Sequence, residues 1–273
     1  MSRLPRVQRR RFAARGRDQI ARNAARVRPD AILGRVTTST GLVVALDGPA
    51  SSGKSSVGAA AALELGYRFC DTGLLYRAAT WLALERHVHA EGPEADPQAL
   101  VDLVPEIELV ADANGRLAHV SIDGVDVTDE VHTPRVDEAV SAVSRVRELR
   151  AALLERQRAL AAEPGGIIMA GRDIGKVILP DADLKILLDA SVEERARRRA
   201  MERGIAAGTP EAREVLDQLR RRDDLDRDQS VPADDAVHIV TDGNQFEDTV
   251  RAVVDEIRRA EKRRSVGAGE RAR

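Results

Sequence analysis

The sequence predicts a doubly wound α/β fold built on a five-stranded parallel sheet, with a small antiparallel insertion and a helical lid. Three observations lead there. Five short apolar runs alternate with helical patterns along the chain. The first run, Leu42 to Leu46, breaks at Gly48-Pro49 and resumes after Gly53 as an alanine-rich helix, enclosing Gly48-x-x-x-x-Gly53-Lys54-Ser55 in a strand–loop–helix setting. Between 105 and 128 the pattern changes to three short alternating segments joined at Asn114-Gly115 and Asp123-Gly124, turns too tight for parallel crossovers.

Taken in order, residues 1–40 form a basic arm expected to be disordered, and 41–262 form the main domain. After the first helix, Gly66 marks a stop and Tyr67 to Cys70 reads as the second strand. Asp71-Thr72-Gly73 makes a turn, and Leu74, Leu75, Ala78, Trp81 and Leu82 recur at helical spacing to about His87. His87 and His89 have no matching carboxylate cluster and read as surface residues. The antiparallel insertion is expected over 98–135, followed by one or two helices over 136–162. Strands return at Ile167 to Ala170, Leu184 to Leu188 and Ala236 to Val240. Ser191, with Glu194 three residues later, caps an arginine-rich helix, and a second charged helix runs from Pro210 to about Arg227. Together 191–235 form the expected lid region, a last helix spans about Phe246 to Lys262, and 263–273 reads as a frayed tail.

A chain of 273 residues can bury a full core, and with only 2% aromatic residues that core must be aliphatic. The lone Cys70 excludes an internal disulfide and fits a reducing compartment, so the expected location is the cytoplasm. No apolar stretch approaches the ~18 residues of a membrane span. The net charge of −2 hides an asymmetry: residues 1–40 hold eleven arginines against two aspartates. An extension without catalytic work, a transit peptide or a basic arm touching nucleic acid all fit that composition.

The chemistry follows from where polar residues fall. In an open α/β sheet ligands bind beyond the carboxyl ends of strands. The P-loop, Asp71-Thr72 and Arg172-Asp173 all follow strand ends. A phosphate chain needs closely spaced backbone N–H donors, so Gly48, Pro49, Ala50, Ser51, Ser52, Gly53, Lys54, Ser55 and Ser56 are the candidate nucleotide-binding residues. Lys54 would reach the β- and γ-phosphates, and Ser55 would give an oxygen to Mg²⁺. Arg195, Arg198 and Arg199 share a helical face suited to a closing lid. Arg77, Arg150 and Arg172 suit a second phosphate, with Asp173 orienting Arg172 or meeting a sugar hydroxyl.

From about 42 to 255 the chain resembles bacterial-type cytidylate kinases, P-loop NTPase-fold enzymes that phosphorylate CMP and dCMP with ATP. The resemblance is carried by Asp47-Gly-Pro-Ala-Ser-Ser-Gly-Lys-Ser55, Asp71-Thr-Gly-Leu-Leu-Tyr-Arg77 and Gly171-Arg-Asp-Ile-Gly175 with Pro180-Asp-Ala182. Asp189-Ala-Ser191 with Arg195-Ala-Arg-Arg-Arg199, and Arg222-Asp-Asp-Leu-Asp226, complete it. It implies that the insertion is a nucleoside-monophosphate-binding unit. It further implies that Thr72, Tyr76 and Arg77 line the CMP side, Arg150 and Arg172 hold its phosphate, Asp173 meets the sugar and Asp226 helps read the base. Arg198 and Arg222 are implied as lid or transition-state arginines, catalytic together with Lys54. ATP, Mg²⁺ and CMP or dCMP are then the small-molecule partners, with no membrane, no obligatory nucleic acid and a monomer as the default.

Two positions depart from the family pattern. Lys176 stands where a threonine is usual, and Gln229 where an arginine is usual, before a shortened Ser230-Val-Pro-Ala-Asp-Asp-Ala236 segment. The second motivates a rival acceptor such as UMP. A non-catalytic nucleotide- or RNA-binding relative, using the basic arm, is the rival from another class.

Overall fold

The computed structural model describes residues 41–227 and 230–271. The basic arm 1–40 and Gln229 lie outside the described residues. In chain order the elements are β1 (Val43–Asp47), α1 (Lys54–Leu65), β2 (Arg68–Asp71), α2 (Gly73–Glu85), α3 (Pro97–Asp102), β3 (Ile107–Ala111), β4 (Arg116–Ile122) and β5 (Val125–Asp126). They continue with α4 (Pro134–Val143), α5 (Arg147–Ala162), β6 (Ile167–Gly171), β7 (Leu184–Asp189), α6 (Val192–Glu202), α7 (Pro210–Asp226), β8 (Val237–Val240) and α8 (Phe246–Arg271).

The sheet order is β3-β4-β2-β6-β1-β7-β8, with β5 paired to β4. The five expected strands form the parallel block β2-β6-β1-β7-β8. Side chains alternate across β1 as a strand requires. Leu42, Val44 and Leu46 pack with Val57 and Ala61 of α1 and Val253, Val254 and Ile257 of α8. Ala45 faces the other way, with Cys70, Met169 and Ala161 of α5. Both faces are covered, which is why the strands read as continuous apolar runs.

The hairpin is less separate than its turns suggest. β3 and β4 pair antiparallel, but β4 also joins β2 in parallel, at Phe69↔Arg116 and Cys70↔Leu117. The crossover needed for parallel pairing is supplied by the whole stretch α2–β3 rather than by a tight turn. A second core unites this region: Leu75 and Leu82 of α2 pack with Leu100, Ile107, Val120, Leu149 and Leu153. The last helix also runs on to Arg271, past the frayed end expected at 263.

One buried hydroxyl fastens the start of β1 to the last helix. Tyr67 Oη accepts from Leu42 N at 2.9 Å and donates to Glu261 Oε1 at 2.7 Å. Burial and Glu261 push its phenol up to about 12. Tyr67→Phe should cost about 1–2 kcal/mol in chemical denaturation, because Leu42 N–H loses its acceptor. Since the folded pKa lies above the unfolded value of ~10, that stabilisation is complete below pH ~10 and fades as pH rises toward 12. The gap between parent and variant should therefore close over that window.

Candidate active site

The site begins with a carboxylate at the end of β1. Asp47 is buried, and its two oxygens accept from Ile174 N and Gly175 N, each at 2.8 Å. These bonds fasten the wide turn Ile174–Ile178 that follows Arg172-Asp173 against the base of the P-loop. Gly53 then enters α1 at φ 92°, a backbone conformation that L side chains rarely adopt. Gly48 serves packing: a Cβ there would lie 2.5 Å from Leu188 O and 2.6 Å from Ser52 Oγ.

Lys54 Nζ donates to Pro49 O at 3.1 Å, so the loop holds the lysine back over itself. Burial, followed by the nearby Arg172 charge, lowers its pKa to about 8. The Ser51 and Ser52 hydroxyls are buried without hydrogen-bond partners among the described residues, which suits a loop built to meet phosphate oxygens. Ser55 Oγ donates to Asp71 Oδ2 at 2.5 Å. These two hard oxygen ligands fit a magnesium ion that takes its other ligands from phosphate and water. Among the described residues no group of three or more His, Cys, Asp or Glu offers an all-protein metal cage.

Two cavities flank the loop. An inner one of ≈ 220 Å³ and an outer one of ≈ 520 Å³ share Ser51, Lys54, Ser55 and Arg199 as a common wall. The inner cavity gathers Thr72, Tyr76, Arg77, Arg150, Arg172, Asp173, Arg222 and Asp226 from four separate segments. Thr72 Oγ1 donates to Ala170 O at 3.0 Å, fixing the turn after β2 to β6. Arg77 is held by Asp137 at 2.5 Å and by Val131 O at 3.1 Å. Burial, then Arg222, lowers the pKa of Arg172 to about 10; burial, then Arg77, lowers that of Arg222.

The pairing of these charges differs from the sequence expectation. Arg172 pairs with Asp226 across the cleft, and Asp173 with Arg150, so the neighbours Arg172 and Asp173 do not orient each other. Adjacent side chains leave the chain in different directions, and each finds its partner on a distant helix. The lid face also divides. Arg195 is buried and donates to Ala190 O, Ala50 O and Asp223, making it a brace between P-loop and α7. Arg198 lines the outer cavity only, tied to Ser52 O, Thr241 and Glu194. Arg199 touches both cavities.

Of the nine loop residues, Ser51 to Ser56 line the outer cavity, Ala50 lines the inner one, and Gly48 and Pro49 line neither. Sequence reasoning named Asp71 at a strand end without a role, and missed Val140, Ser141 and Ser144 on the inner side. It also missed Thr241, Asn244, Gln245 and Phe246 on the outer side. The i, i+4 spacing of Val140 and Ser144 was the available signal for one helix face.

With this geometry in view, the family described as Cytidylate kinase matches residues 44–259. The chain belongs to the cytidylate kinase family. A cytidylate kinase of Roseiflexus castenholzii is 43% identical over 216 residues, covering 79% of this chain and 93% of that protein. One of Herpetosiphon aurantiacus is 44% identical over 222 residues, covering 80% and 95%. One of Bacillus pumilus is 40% identical over 227 residues, covering 81% and 98%. Within this cytidylate kinase, Lys176 is half-exposed and lies 3.6 Å from Asp234. No described helix is long and apolar enough to cross a membrane.

The chain has four lysines, Lys54, Lys176, Lys185 and Lys262. Lys54 should therefore be singled out by amine labelling followed by mass spectrometry. Its labelling should rise through pH ~8, well below the ordinary lysine value of ~10.4. ATP should suppress labelling at Lys54 and leave Lys262 unchanged.

Proposed function

We propose that this cytidylate kinase transfers the γ-phosphoryl group of ATP to CMP and dCMP, giving CDP and dCDP. The observation that carries the reading is the shared wall: two cavities meet at Lys54, Ser55 and Arg199, and the inner one is ringed by arginines. ATP would lie in the outer cavity, its phosphates along Ser51 to Ser56, and the nucleoside monophosphate in the inner one.

The reaction needs no covalent intermediate. A phosphate oxygen of the acceptor attacks the γ-phosphorus in line, and the β–γ bridging oxygen leaves with its electron pair on ADP. Two oxygens held at either side of one wall satisfy the alignment, since positioning is the larger part of such catalysis. Arg77, Arg150 and Arg172 bind the acceptor phosphate, Asp173 contacts its sugar, and Asp226 holds Arg172 and Arg222 toward the base. Thr72 and Tyr76 complete the acceptor wall. Lys54, Arg199 and Arg222 offset charge developing on the transferred group, while Arg198 steadies the donor side. Ser55 and Asp71 would hold Mg²⁺, which would supply neutralising charge to the donor phosphates.

Residues 98–135 back the acceptor site in this reading, with Val131 O holding Arg77, and 191–235 act as the lid that excludes water. The enzyme works as a cytoplasmic monomer of pyrimidine nucleotide metabolism, with no obligatory nucleic acid.

ADP release with Mg²⁺-ATP and each of CMP, dCMP, UMP and AMP tests the assignment. Turnover should be strong with CMP and dCMP and at least tenfold weaker with the others; a preference for UMP or AMP would overturn the acceptor assignment. Lys54→Ala should lose about 10²–10³-fold or more in kcat while its unfolding midpoint stays near the parent value. An active Lys54→Ala variant would contradict the mechanism.

A further inference from the structure

Ser51 stands at φ 61°, one of three non-glycine residues with positive φ among the described residues. The other two, His87 and Asp123, are exposed at turns. Ser51 instead lines both cavities. A side chain disfavours this conformation, which persists only where the surroundings hold it. The torsion also fixes which way the Ala50–Ser51 peptide is turned. Turning that peptide over would return Ser51 to negative φ.

The group that holds the peptide is Arg195, whose Nη1 donates to Ala50 O at 3.2 Å. In a planar trans peptide the C=O and N–H point in opposite directions. Arg195 lines neither cavity. With its carbonyl drawn to Arg195, the peptide therefore turns its N–H, that of Ser51, away from the lid helix and toward the cavities.

Arg195 is itself only 5% exposed and fully engaged. Its Nε donates to Ala190 O at 3.0 Å, and its two terminal nitrogens meet the Asp223 carboxylate at 3.1 and 2.6 Å. Burying such a pair costs desolvation that well-packed apolar side chains would avoid, so packing alone gives no reason for a guanidinium here. Its rigid fork is what lets one side chain hold the end of β7, α7 and the P-loop together.

We infer that Arg195 is a positioning residue for the donor phosphates: by holding Ala50 O it keeps the Ser51 N–H turned toward the phosphate chain before the nucleotide arrives. A donor fixed in advance needs no reorganisation when the phosphates enter. The inference rests on the reading of the outer cavity as the donor site.

The test combines Arg195→Met, which removes the fork, with Ser51→Gly. In the otherwise native chain Arg195→Met should raise KM for ATP about tenfold, the loss expected for one hydrogen bond to a charged group, with kcat within threefold. Glycine takes positive φ about as readily as negative and needs no latch. In a Ser51→Gly background the same Arg195→Met change should therefore raise KM for ATP less than threefold. A packing role alone would give equal factors in the two backgrounds. A crystal structure of substrate-free Arg195→Met should show Ser51 at negative φ. Should Arg195→Met fail to fold, Arg195→Lys, which keeps a charge for Asp223 but has no fork, gives the same pair of factors. An unchanged KM for ATP, equal factors in the two backgrounds, or Ser51 still near φ 61° in the variant overturns the proposal. Because that structure holds no nucleotide, it separates failure of this inference from failure of the donor assignment.

Discussion

Six cationic side chains, Lys54, Arg77, Arg150, Arg172, Arg199 and Arg222, line one cavity of ≈ 220 Å³. Like charges crowded into one cavity repel one another, so the arrangement needs something to oppose it. Asp137, Asp173 and Asp226 do so, each pairing with one or more of the arginines. The opposition is incomplete. Lys54, Arg172 and Arg222 still have depressed pKa values, with a neighbouring arginine among the causes after burial. A cavity left short of negative charge is a cavity that favours phosphates.

The fold supplies the rigidity that such crowding demands. Lys54 hangs from the P-loop, Arg172 from the end of β6, and Arg222 from α7, and each point is fixed by bonds that carry no chemistry themselves. Asp47 fastens the turn after Arg172 to the P-loop, and Arg195 fastens the P-loop to α7. Thr72 ties β2 to β6. The cations of the inner cavity are thereby placed by a frame of buried polar contacts at the carboxyl ends of a parallel sheet, where ligands of such sheets bind.

How much of this is legible in the sequence depends on range. The five parallel strands and the P-loop helix are local patterns, and they stand where periodicity and glycine spacing put them. The inner-cavity residues could be nominated because each follows a strand end or lies on a charged helix. Their pairing could not: Arg172 and Asp226 meet across 54 positions, and nothing local distinguishes that partner from Asp173 next door. Arg195, Arg198 and Arg199 share a helical face by spacing, yet one is buried, one lines the outer cavity and one stands between cavities. Only the tertiary neighbours Asp223 and Thr241 decide this. The parallel pairing of β4 with β2 was hidden for the same reason, since hairpin signals describe the turn and not the strand beyond it.

The central claim is that the two cavities on either side of Lys54 are a donor site and an acceptor site, close enough for direct transfer. The measurement that tests it most directly is calorimetric binding of an adenosine and a cytidine joined by a five-phosphate chain, long enough to span both. One molecule should bind per chain, more tightly than ATP or CMP alone, and binding should be competed by either nucleotide. Competition by ATP alone, or two molecules bound per chain, would contradict the account.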